Sequence, residues 1–325
     1  LGRIAALRNS VKELMRDGIR IRLGSSADSA ARLWLNRATS SAVRAFLVMI
    51  LIVLPSVILP GIGTDTKQIV ALVALFAGGL VFFEYNAIYP SLIEFRDGAP
   101  YNRIRYLMLL AIVLLLSVIV ADREDPTTVS RLIRALGDVV GGALDFPYSP
   151  VRLATLMLSD SSSADQVQDI RTAAGMAYLV SLLSLAIFVI VLKMVGWPST
   201  KSAFNVWVNL PTFEPTAGGD VVDRLERDSR LNLAVGFLLP FVVPALIVLL
   251  TSGLPADTVT APQTLIWTVA ALAYLPASLL MRGVAMGRIA DMVRTKRDLK
   301  LAEEAALARP GDDRLLADDD EDDDL

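Results

Sequence analysis

The sequence predicts an all-α polytopic membrane protein with six transmembrane helices plus interfacial amphipathic helices. Three observations carry this. Six long apolar runs, at roughly 43–60, 69–90, 104–121, 173–195, 231–251 and 264–281, each come close to the ~20 residues that span a hydrocarbon core. The basic residues fall in alternate connections, 25 of the 31 Lys and Arg on one side and six on the other. The longest connection between runs, 121–172, is too short to bury a self-sufficient core. By the positive-inside rule the Lys- and Arg-rich side is cytoplasmic and holds both termini.

Composition removes several functions. The 325 residues are 54% hydrophobic and include no histidine and no cysteine. Disulfides, thiolate metal sites, the usual haem and zinc ligands and the usual general base are therefore missing. A Ser-His membrane protease and a zinc protease fail on the same count, and no phosphate-binding G-x-x-x-x-G-K supports an ATP-driven pump. The chain reads as no enzyme, with no cofactor and no metal.

Residues 1–42 form a basic arm. Leu1, Ile4, Leu7, Val11 and Leu14 recur at three- and four-residue steps with Arg3, Arg8, Lys12 and Arg16 on other faces, as in a helix in the headgroup plane. The same cations interrupt any window for a signal peptide, so the first membrane helix is expected to act as its own targeting signal. Trp34 suits the interface before the first span and is a candidate partner contact. Pro55 and Pro60 close that span. In the second run Glu84 is the one clearly intramembrane ionisable residue, a functional candidate by default. It also lies close enough to the exit at Tyr89-Pro90 to pair with Arg103 or Arg105.

The third run ends in the connection 122–172. After Pro126, Thr127 or Thr128 is placed to cap a helix on which Val129, Leu132, Ile133, Leu136, Val139, Val140, Ala143 and Leu144 make one apolar stripe. Such a stripe needs a cover, from lipid, from the chain's own spans or from another subunit. Leu132, Ile133, Leu136 and Val140 are the candidate partner contacts there. Gly137 and Gly141 would permit close helix approach, and the Phe146–Pro150 run breaks the helix.

Spans four to six, 173–281, enclose a cytoplasmic loop at 196–230. Its stretch from Trp197 to Pro215 is rich in aromatics and prolines, with Trp207 a further candidate partner contact. Asp220, after Gly218-Gly219, reads as the N-cap of a charged helix leading into span five. Pro240, Pro244 and Pro276 lie in spans five and six, as kinks or as openings of the kind that coordinate solutes. Gly78, Gly79, Gly283 and Gly287 offer close-contact surfaces. Beyond span six the pattern continues as a basic helix toward Pro310, and residues 312–325 carry nine acids, a self-repelling tail.

Surfaces that ask for a cover outnumber any chemistry-bearing constellation. The expected function is a non-catalytic accessory, assembly or scaffold subunit of a larger complex in a bacterial cytoplasmic membrane. Its expected partners are other membrane protein subunits, and anionic lipids at the cytoplasmic basic segments; nucleic acid is not among them. The alternative is a secondary transporter or channel for an uncharged or lipidic solute, using Glu84 and the proline-bearing helices.

Overall fold

The computed structural model describes residues 36–96, 98–158, 162–198, 209–211, 213, 218–251 and 261–307. Residues 1–35 of the basic arm, with Trp34, residues 199–208 of the inner loop, with Trp207, and the acidic run lie outside the described residues. Within them the chain is helical and contains no strand. Six helices are long and apolar enough to cross a membrane: α1 (Asn36–Ile58), α2 (Thr64–Asn86), α3 (Ala99–Ala121), α6 (Ala164–Val195), α7 (Val221–Thr251) and α8 (Pro262–Leu307). Between α3 and α6 come α4 (Thr128–Leu144) and the short α5 (Pro150–Thr155). The molecule is a polytopic helical membrane protein. The α2–α3 turn marks one of its faces, the turn face, and α4 with α5 marks the other, the loop face.

The apolar runs are the hydrocarbon portions of longer helices. α6 begins well before residue 173 because Ser163 and Gln166 make a reciprocal capping box, satisfying two otherwise orphaned amides. It ends at Gly196, whose φ of 62° is a left-handed cap. α7 begins at Val221 because the Asp220 carboxylate accepts the Val222 N–H at 2.8 Å. α8 runs unbroken through Pro276 and past Arg282 to Leu307. α2 stops short of Pro90, at Asn86, and the reason lies in the Glu84 contacts described below.

α3, α6 and α8 pack on one another and form the centre. Ile112, Leu116, Ala173, Ala177, Ile266 and Ala273 are all buried there. α7 lies along α8 through small residues. A Cβ at Gly283 would stand 2.7 Å from Leu233 Cγ and 3.0 Å from the Ser229 carbonyl; Ser229 Oγ donates to the Gly283 carbonyl at 2.7 Å. α1 is tied to α3 by the Tyr106 hydroxyl, which donates to the Leu47 carbonyl at 2.9 Å. The Gln263 side-chain amide, donating to Ser56 Oγ at 2.8 Å, ties it to α8. α2 packs on α1 at Gly78, where a Cβ would meet Met49 Cγ at 2.6 Å.

Candidate functional site

Polar side chains collect in two layers, one at each face. At the turn face the Glu84 carboxylate accepts the amides of Ser91 (2.9 Å), Leu92 (2.9 Å) and Ile93 (3.3 Å) and the Ser91 hydroxyl (2.6 Å). It is thus bonded to its own exit turn, and not to Arg103 or Arg105. Pro90 has no N–H to continue the helix, and Glu84 supplies acceptors for the amides that follow. Replacing Glu84 with Gln puts a donor where an acceptor is needed. We expect about 1.5 kcal/mol of lost stability, the low end for bonds to a charged group, as suits an exposed turn, with the spans retained. Faster hydrogen exchange at Ser91, Leu92 and Ile93 would register it; loss of the whole fold would contradict it.

Beside that turn sits a pair that sequence reading misses. Arg282 on α8 grips Glu94 with both arms of its guanidinium, Nε at 2.6 Å and an Nη at 2.8 Å. Their side chains keep 24% and 13% exposure, so the turn is pinned to the central helix by a largely buried bidentate pair. The Asn102 side-chain amide donates to the carbonyls of Glu94 (2.8 Å) and Phe95 (3.1 Å). Phe95, fully buried with a φ of 51°, is held in this left-handed conformation by the rings of Tyr101 and Trp197, at 4.3 and 5.9 Å between centroids. Arg105 lies over the Tyr101 and Tyr274 rings, 5.0 and 5.9 Å from their centroids.

Farther along the same face Arg297 bonds both oxygens of Asp220, at 2.7 and 2.9 Å. These bonds, and then the Val222 amide, hold the Asp220 carboxyl below the usual range, at about 2. A depressed carboxylate contributes its tie above its unfolded pKa and loses it as pH falls through the folded value. The α7–α8 tie is therefore expected to be full above the ordinary carboxylate range and to weaken as pH falls toward about 2.

At the loop face Asp169 is shared by Arg123 and Arg134, and Asp138 accepts from Gln168 and Thr172. Asp145 forms ion pairs with Arg152 (2.5 Å) and Arg171 (2.7 Å). Leu59, Ile119, Val120 and Leu265, with Arg123, Arg134 and Asp169, line a recess of about 160 Å³.

α4 has the cap its sequence predicts: Thr127 and Ser130 form a capping box. Its small-residue edge, not its apolar stripe, makes the main packing. Gly137 and Gly141 are buried on α6, where a Cβ on Gly141 would stand 2.6 Å from the Arg171 carbonyl. Of the candidate partner contacts, Ile133 and Val140 are half-buried, while Leu132 and Leu136 stay 70% and 51% exposed. Trp34 and Trp207 lie outside the described residues. Sequence reading misses the layer of Asp169, Asp145 and their arginines because the run 173–195 begins just past it. Only the polar stretch preceding that run could have pointed to it.

This arrangement defines the class, a helical membrane protein with an apolar centre of α3, α6 and α8 and ionic ties at both faces. Comparison with protein-family models, with curated proteins and with solved structures finds no match to this chain.

Proposed function

We propose that the chain is a non-catalytic accessory, assembly or scaffold subunit of a larger complex in a bacterial cytoplasmic membrane, with the turn face and both termini cytoplasmic. One observation carries the reading. The carboxylates at both membrane faces, Glu84, Glu94, Asp145 and Asp169, are each bonded within the chain, while two spans keep an outer flank that no other described residue covers. Only 11% of the apolar window of α2, and of α7, is buried. Phe76 and Phe83 on α2 are 75% and 72% exposed, and Phe237 on α7 67%. Flanks of this kind are ready contact surfaces for further transmembrane helices, which associate through packing in lipid. Leu132 and Leu136 extend the offer on α4.

The transport reading would draw on Glu84 and Pro240. Glu84 is bonded to its own turn, and α7 is helical through Pro240 and Pro244, so the accessory reading takes precedence. A photo-crosslinking residue at Phe76 or Phe237, activated in native membranes, tests it. One discrete adduct with another membrane polypeptide is the expected result. Adducts with lipid alone at both positions would count against the proposal.

A further inference from the structure

The depth of α4 follows from its partners. From Thr172 to Lys193, α6 rises by ~32 Å at 1.5 Å per residue, about one hydrocarbon thickness, which sets the hydrocarbon edge on the loop face near Thr172. Gly137 sits at that level: a Cβ there would lie 2.8 Å from Thr172 Cγ2 and 3.5 Å from Ile119 Cδ1. The contacts Arg134 with Asp169, Gly137 with Thr172 and Gly141 with Gly175 advance together along both helices. α4 therefore runs in the same sense as α6 and descends obliquely beside it, Gly141 and Asp145 both still meeting Arg171. Leu144, two turns past Gly137, lies below that level, by less than the ~10 Å that two full turns along the α6 axis would give.

The side chains below that level sort as lipid requires. The charged residues between 138 and 148 are Asp138 and Asp145, and both turn to the protein. Asp138 meets Gln168 and Thr172; Asp145 meets Arg152 and Arg171. The exposed positions of the same stretch are Val139, Gly142, Ala143, Phe146, Pro147 and Tyr148, every one apolar or aromatic. In water this pattern would be reversed. A charge at such a depth is tolerated when paired inside protein, and non-helical backbone such as 145–149 when packed against it. The turn is anchored at both ends: the Asp145 and Ser149 amides donate to the Gly142 and Phe146 carbonyls, Ser149 is buried, and Val151 and Ala154 are buried in α5, which packs on α6 and α7.

We propose that α4 and α5 form a re-entrant element whose segment 138–148 lies within the leaflet on the loop face, with Val139, Ala143 and Phe146 seated against acyl chains. The inference is independent of the accessory reading. The chain has no cysteine, so single-site spin labels report each position. Val139→Cys and Phe146→Cys, with Leu182→Cys on the exposed flank of α6 and Arg131→Cys on the upper part of α4, are reconstituted as full chains in phosphatidylcholine–phosphatidylglycerol vesicles. All four positions are exposed and accept a label without repacking. Labels at 139 and 146 should collide more with dissolved oxygen than with a water-soluble nickel chelate present on both sides, as at 182, and the label at 131 should show the reverse. Chelate-dominated collision at 139 and 146 would overturn the proposal by placing the helix in water. Exclusion of both reagents would overturn it by showing a protein cover, a second copy of the chain.

Discussion

Gly175→Leu is expected to detach α4 from α6, with a loss of stability as large as any single substitution in this bundle's close helix contacts should give. A Cβ at Gly175 would stand 2.5 Å from the Gly141 nitrogen and 3.2 Å from the Val140 carbonyl carbon. These are backbone atoms, which cannot rotate away as a side-chain tip would. The two helices must separate, and the bonds of Asp138 to Gln168 and Thr172 and of Arg134 to Asp169 separate with them. Overpacking in a close-packed contact costs about 1–3 kcal/mol, and the unyielding neighbours put this case at about 3 kcal/mol. Thermal unfolding in detergent and protease access to the 145–149 turn are the measurements. Gly142→Ala is the control, since nothing lies within 4 Å of its added carbon. It should be neutral or slightly stabilising, by the better helix propensity of alanine. A Gly175→Leu protein that melts like the parent would refute the close crossing.

The second large effect is expected from cutting the Glu94–Arg282 pair. Glu94→Ala leaves the Arg282 guanidinium at the turn face without its bidentate acceptor. Removing one partner of a buried pair costs about 3–5 kcal/mol, and the residual exposure of Arg282 argues for about 3 kcal/mol. The paired change Glu94→Leu with Arg282→Met should recover much of that loss, because two well-packed apolar side chains remove the uncompensated charge. Midpoints of chemical unfolding for the single and double variants check it. A double variant no better than Glu94→Ala would mean that the turn depends on Glu94 for something other than this pair.

These two contacts also show where sequence reading stops. The spans are legible because lipid demands long apolar runs, and the capped helix at Thr127 is legible because its cap and stripe are local. The true helix ends are not, since charged turns beyond the hydrocarbon continue as helix: α6 reaches back to Ala164 through residues that hydropathy assigns to a loop. Glu84 stands out in sequence as an intramembrane carboxylate, yet it is close enough to the exit to bond the backbone of 91–93. Glu94 with Arg282, and Asp169 with Arg134, join residues far apart in the chain, and no periodicity encodes which span ends meet. The G-x-x-x-G of α4 is visible in the sequence, but its partner Gly175 becomes apparent only when α6 is laid beside it.

Whether this chain is one subunit among others is tested most directly by extracting the full chain from its native membrane in mild detergent and measuring the mass of the native particle. The prediction is a particle that holds, beside this chain, other membrane polypeptides in fixed ratio. A monomer, or a homo-oligomer with detergent and lipid only, would contradict it.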